Sequence, residues 1–236
     1  GPPLVTGSPS GEVVDYDASG KEVWRKTVGD QPWGCVGLAS GHRLVGMYSS
    51  QKVVEFDAQG NQVWEKNGLP GGPFGFERLD NGNTLIACSD GGKVLEIDPE
   101  GKTVWEYSNT GRPTDARRLS NGNTLVALQN SGNVLEVDSA GKTVWEITGL
   151  SSPFCCQRLE DGNTLITLLG EGKVIEVAPD KSRVWTKEGL GSPYFAQRLM
   201  NGNTLIASDG GAMEIDREGK EVSKYPMSNC SRAHRF

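Results

Sequence analysis

The stretch Pro73-Phe74-Gly75-Phe76-Glu77-Arg78-Leu79, followed by Asn81-Gly82-Asn83-Thr84-Leu85-Ile86, Lys93-Val94-Leu95-Glu96-Ile97-Asp98 and Gly101-Lys102-Thr103-Val104-Trp105-Glu106, decides the fold. It reads as four short, largely apolar runs divided by turn residues. Asn81-Gly82 falls between two of them and supplies the positive φ angles of a tight type I′ hairpin. Asp98 and Gly101 frame a second turn, where an Asp in first place and a Gly in last place suit type I geometry. The unit is a meander of four strands.

The unit recurs. Trp24, Trp64, Trp105, Trp145 and Trp185 are spaced 40, 41, 40 and 40 residues apart. Asn121-Gly122, Asp161-Gly162 and Asn201-Gly202 repeat the hairpin signal, in copies that begin at Pro113, Pro153 and Pro193, with a degenerate one at Pro32. A sandwich has no reason to repeat its sequence, and a β-solenoid repeats at shorter periods without Asn-Gly hairpins. Four strands every ~40–45 residues is the blade period of a β-propeller. The chain begins in mid-repeat, and Ala233-His234-Arg235-Phe236 aligns with Ala196-Gln197-Arg198-Leu199. The expectation is therefore an all-β, six-bladed propeller of four-stranded antiparallel meander blades, closed by the C-terminal strand pairing with the N-terminal blade. It forms one domain over 1–236, with blades at 229–236 plus 4–24, 32–64, 73–105, 113–145, 153–185 and 193–225.

Composition removes several functional classes. Lys and Arg number 24 against 30 Asp and Glu, a net charge of −6, which argues against a nucleic-acid footprint. No apolar run approaches the ~18–20 residues of a membrane-spanning helix. The histidines, His42 and His234, are too few for a site of three imidazoles from one chain. The five cysteines have no CxxC spacing, so they fit neither a disulfide framework nor a zinc cage. Cys155-Cys156 read as buried thiols acting as small apolar residues. No metal site and no catalytic set of acid, base and nucleophile emerges.

Two columns of the repeat carry candidate chemistry. Arg78, Arg118, Arg158, Arg198 and Arg235 share one inner-strand position, with Gly37 in the remaining blade. They form either an anion-binding ring, since guanidinium offers a bidentate donor fork, or a structural ladder with the third-strand acids Asp15, Glu55, Glu96, Glu136, Glu176 and Glu214. The second column opens each inner strand: Trp33, Phe74, Thr114, Phe154, Tyr194 and Ser231. Its aromatics would ring the channel mouth on the face of the strand-four-to-one loops. With the non-repeating Asp115, Arg232 and His234, the residues Trp33, Phe74, Phe154 and Tyr194 make up the candidate ligand-binding mouth. The strand-four Trp residues read as wedges between blades.

The strings Gln197-Arg198-Leu199-Met200-Asn201-Gly202-Asn203-Thr204-Leu205-Ile206 and Glu96-Ile97-Asp98, then Gly101-Lys102-Thr103-Val104-Trp105, resemble repeats of the quinoprotein-like (PQQ-like) β-propeller superfamily. They are also similar to those of arylsulfotransferase-type propellers. The resemblance implies the propeller class and points to an extracytoplasmic, periplasmic or secreted, location. Quinone-dependent dehydrogenases of that superfamily have more blades and a calcium-assisted site, and arylsulfotransferases have a covalent histidine supported by further His and Arg. This chain has neither pattern, so no cofactor is expected, PQQ included. The expected role is a binding or scaffold propeller for a small molecule or protein, with a diverged transferase, hydrolase or quinoprotein-like enzyme as the alternative.

Overall fold

In a computed structural model, residues 4–7, 11–17, 19–227 and 230–235 are described. The strands, in chain order, are β1 (Leu4–Gly7), β2 (Glu12–Tyr16) and β3 (Glu22–Thr27), then β4 (Pro32–Gly37), β5 (Arg43–Met47), β6 (Lys52–Phe56) and β7 (Gln62–Lys66). Next come β8 (Pro73–Arg78), β9 (Thr84–Cys88), β10 (Lys93–Ile97) and β11 (Thr103–Ser108), then β12 (Pro113–Arg118), β13 (Thr124–Leu128), β14 (Asn133–Val137) and β15 (Thr143–Ile147). The last are β16 (Pro153–Arg158), β17 (Thr164–Leu168), β18 (Lys173–Val177) and β19 (Arg183–Lys187), then β20 (Phe195–Arg198), β21 (Thr204–Ser208), β22 (Gly211–Ile215), β23 (Glu221–Tyr225) and β24 (Cys230–His234).

Five four-stranded antiparallel blades are each built from four consecutive strands, β4–β7 through β20–β23. The remaining strands form a sheet of order β24-β1-β2-β3. The expectation of six equivalent blades, the first closed by a strand over 229–236, is corrected here. The described strand covers only Cys230–His234, and its pairing with β1 slips register between Thr6 and Gly7. Residues 229 and 236 of the expected strand lie outside the described residues. The sheet is thus a composite of both chain ends with an irregular seam, unlike the five continuous meanders. Counting it as the first, the others are the second to sixth blades.

Hairpin chemistry also differs from expectation. Gly82 alone is left-handed (φ 87°), and Asn81 is not among the positive-φ residues. The Gly82 N–H donates to Leu79 O, and the Leu79 N–H to Asn83 O. This is a type I turn followed by a glycine bulge rather than a type I′ turn. Asn81 serves through its side chain, whose Oδ1 accepts the Asn83 N–H at 2.9 Å.

The middle strands β9, β13, β17 and β21 are buried throughout, because both sheet faces meet neighbouring blades. Outer strands alternate exposed and half-buried residues, as in β11. The core lies between blades. One cluster joins Val36, Leu44 and Val53 of the second blade to Phe76, Ile86 and Ile97 of the third. Burial of such side chains, worth ~1.5–3 kcal/mol each, is what holds blade to blade.

Candidate functional site

A polar clasp repeats around the outside of the inner strands. Each guanidinium reaches back to the third-strand acid of the preceding blade: Arg78 to Glu55 at 2.7 Å, Arg118 to Glu96 at 2.9 Å, Arg158 to Glu136 at 3.1 Å, Arg198 to Glu176 at 3.0 Å and Arg235 to Glu214 at 2.5 Å. The Nε of Arg78, Arg118, Arg158 and Arg198 donates to the facing threonine, Thr84, Thr124, Thr164 or Thr204. Their guanidinium planes lie 5.2–5.4 Å over Trp64, Trp105, Trp145 and Trp185. Each of these Trp residues in turn donates its indole N–H to a turn carbonyl of the next blade. In the sixth blade, where Ser223 replaces the Trp, Tyr225 takes over and accepts from Arg235 Nη2 at 2.8 Å.

Two members of the clasp escape a reading of the Arg column alone. The second blade has Gly37 where the others have Arg, yet Asp15 still receives a guanidinium, from Arg43 at 2.7 Å. Arg43 stands at the threonine position, opposite Gly37, and lies 4.1 Å from the Trp24 ring centroid. His42 occupies the place of Asn83 and bonds Glu55 through Nδ1 at 2.7 Å. Burial opposes the charge of Glu96, but the Asn83 and Asn81 amides and Arg118 hold its pKa below the ordinary carboxylate value; Glu214 behaves likewise through Asn203, Arg235 and Asn201.

The channel mouth expected to bind a ligand is filled by its own side chains. Trp33 and Phe74 have ring centroids 5.0 Å apart, Trp33 and Tyr194 5.3 Å, Phe74 and Phe154 5.1 Å, and Phe154 and Tyr194 5.6 Å. Tyr48 stacks on Phe74 at 4.9 Å. The cavity left among them, above Asp115 and Cys155, measures about 10 Å³. These aromatics form a plug. Asp115 is buried beneath it, its Oδ2 accepting from the Cys156 N–H at 3.1 Å and from Arg117 Nε at 3.3 Å. A Cβ at Gly75 would collide with Asp115 Oδ1, so the glycine makes room for the carboxylate.

The open end lies at the other end of the inner strands, about 10 Å away by strand rise. There the residues just before the Arg column converge: Glu77, Arg117, Gln157, Gln197 and His234 line a cavity of about 220 Å³. The structure therefore separates His234 from the aromatics with which it was grouped. Arg232 lies on β24, and its side chain is outside the described residues. The column Val36, Glu77, Arg117, Gln157, Gln197 and His234 is the one sequence reasoning passed over, apart from its last member. Its signal was variety, since no other polar inner-strand column changes chemistry so often.

Four of these side chains also bridge blades by accepting a backbone N–H from the next inner strand. Glu77 Oε1 accepts from Arg118 at 2.6 Å, Gln157 Oε1 from Arg198 at 2.7 Å, Gln197 Oε1 from Arg235 at 3.0 Å and His234 Nδ1 from Gly37 at 3.3 Å. The bond to His234 places the ring proton of the neutral imidazole on Nε2. Gln197 spends its Nε2 as well, on Arg235 O at 2.8 Å. Gln157 Nε2 has no protein partner among the described residues and is left as a donor to the cavity. Burial works against the Arg117 charge, but Asp115 and Glu77 more than offset it and hold its pKa above the ordinary arginine value. The cavity thus offers a guanidinium and an amide N–H₂ in a partly enclosed space, a donor set for carboxylate or carbonyl oxygen.

Among the described residues, no group of three or more His, Cys, Asp or Glu is placed to hold a metal ion. With one mouth plugged, the residues present do not fit a calcium-assisted quinone. No helix among them is long and apolar enough to cross a membrane.

Four-stranded sheets packed face to face around such a channel define a β-propeller. The chain belongs to the family described as outer membrane protein assembly factor BamB, whose model matches residues 9–226. No curated protein matches it. Among solved structures, it is similar to a protein of unknown function from Bacteroides caccae, at 19% identity and a TM-score of 0.85, covering 98% of this chain and 97% of that one. It is also similar to a streptogramin B lyase, at 14% identity and a TM-score of 0.70, covering 97% and 83%. A catalytically inactive H270A virginiamycin B lyase from Staphylococcus aureus with quinupristin aligns at 14% identity and a TM-score of 0.69, covering 96% and 84%. At these identities the likeness is one of fold.

Proposed function

We propose that the chain is a binding propeller whose open channel end holds a small molecule bearing carboxylate or carbonyl oxygen, in an extracytoplasmic setting suggested by its family. The observation that carries this reading is the convergence of Arg117, Gln157, Glu77 and His234 in one cavity, at the inner-strand column where the blades differ. The same propeller positions on the outside repeat, as structural positions do. Arg117 would bind the ligand's oxygen, Gln157 would orient it, and Glu77 would hold Arg117 in place, its Oε2 lying 3.8 Å from Nη1. A thermal-shift screen of small carboxylates, amides and sugars tests the reading. Ligands should raise the melting temperature of the wild type and not of Arg117→Gln; equal stabilisation of both proteins would refute it.

A second reading, a diverged lyase, transferase or hydrolase, is favoured by the occurrence of this fold in two lyases, one described as inactivated by loss of a histidine. His234 would then be the reacting base. Its Nδ1 is engaged by a backbone N–H rather than by an orienting carboxylate, which is why binding ranks first. Mass-spectrometric detection of a product from quinupristin, abolished in His234→Ala, would reverse that order.

A further inference from the structure

The second blade breaks the repeat twice, and the two breaks compensate. Gly37 removes the inner-strand guanidinium, while Arg43 on β5 restores the ion pair to Asp15 and the stacking on its Trp. Stability is kept, and the space that an Arg side chain fills in the other blades is released on the channel side. That space is a second lobe of about 430 Å³, which shares Glu77, Arg117 and His234 with the first. Val36, Leu38, Ala39 and Leu79 form its apolar wall. Val36 itself replaces the polar residue that the neighbouring blades place at this position. A guanidinium moved rather than lost, beside an apolar substitution in the same column, marks the lobe as a made space.

We propose that this lobe takes the aliphatic chain of a ligand whose oxygen-bearing head sits at Arg117 and Gln157, making the ligand class a small aliphatic carboxylate. The inference rests on the binding role proposed above. Apolar contact with Val36, Leu38 and Leu79 would give chain-length selectivity, and Gly37 would be the residue that sets it. Between the two lobes, Arg117 is the group within reach of both.

The test is an NMR titration of ¹⁵N-labelled full chain with acetate, butyrate, hexanoate and octanoate, read at the Gly37 and Arg118 amides. In the wild type, Kd should fall about two- to fourfold per added methylene, as the ~0.8 kcal/mol of a buried methylene allows. The double variant Gly37→Arg/Arg43→Thr restores the pattern of the other blades, ion pair included, and fills the lobe. It should melt like the wild type and lose the chain-length gradient. Should it fail to fold, Val36→Gln makes the wall polar without touching the clasp, and it should flatten the same gradient. A gradient absent from the wild type, or retained in every folded variant, overturns the chain-binding lobe while leaving the head-binding cavity standing. If no carboxylate moves either amide, the underlying binding role falls and the lobe with it.

Discussion

Replacing Arg118 by Met tests the clasp where its geometry is most complete. The substitution keeps an apolar stem against Trp105 but removes the bond to Glu96 at 2.9 Å and the bond to Thr124 at 3.1 Å. A hydrogen bond to a charged group contributes ~1.5–3 kcal/mol, and a neutral one ~0.5–1.5. Breaking a fully buried pair costs ~3–5 kcal/mol, which is an upper bound here because the Arg118 side chain is 25% exposed. Glu96 also keeps its Asn83 and Asn81 partners, at 2.7 and 3.4 Å. The expected loss is therefore about 2–3 kcal/mol, which for a chain of this length lowers the melting temperature by about 4–12 °C. The sign of its pH dependence follows from Glu96, whose folded pKa is depressed. Its stabilisation is present above the unfolded value near 4.5 and is lost as pH falls through the folded one. The melting difference between wild type and Arg118→Met should thus be full at pH 7 and shrink below about pH 4. Differential scanning calorimetry from pH 3 to 8 measures both. A variant that melts with the wild type at pH 7, or a difference that grows in acid, would refute the clasp as a source of stability.

Phe154→Ala should cost ~3–5 kcal/mol, since it empties a nearly buried ring from the plug beside Phe74 and Tyr194; urea denaturation checks it, and a loss below 1 kcal/mol would mean that the plug is not packed. Burial, with a smaller contribution from Glu106, pushes the Cys88 thiol up to about 12, and burial with Asp115 raises Cys156. Cys35, Cys88, Cys155 and Cys156, all buried and free, should resist Ellman's reagent at pH 8 until the chain unfolds, and rapid native labelling of any of them would contradict this.

The blades were legible because the turns and the Trp residues fall at a fixed period, and a period survives in the sequence without any knowledge of contacts. Asn81-Gly82 located its hairpin correctly but misled about turn type, since both type I′ and the glycine-bulge turn place Gly at a left-handed position. The clasp was half legible. The Arg and acid columns are visible as text, whereas the exchange of Gly37 and Arg43 is visible only once β4 and β5 are in register. The candidate site was assigned to the wrong end of the channel. Trp33, Phe74, Phe154 and Tyr194 line the mouth, but sequence cannot say that rings entering from different blades are long enough to meet and fill it. Glu77, Arg117 and Gln157 stood next to the repeated Arg and were overshadowed by it.

The alternation along an inner strand has an evolutionary consequence. Phe76 and Arg78 point into the joint between blades, and Glu77, between them, faces the channel. Adjacent letters of the same strand therefore answer to different selective demands: one set to the integrity of the joint, the other to whatever occupies the pore. A blade can be duplicated with its joint intact, and its pore residue can then drift independently. The outer machinery is a common grammar and the inner column a vocabulary, so a ring of this kind can acquire a new binding specificity by single substitutions without first having to be restabilised.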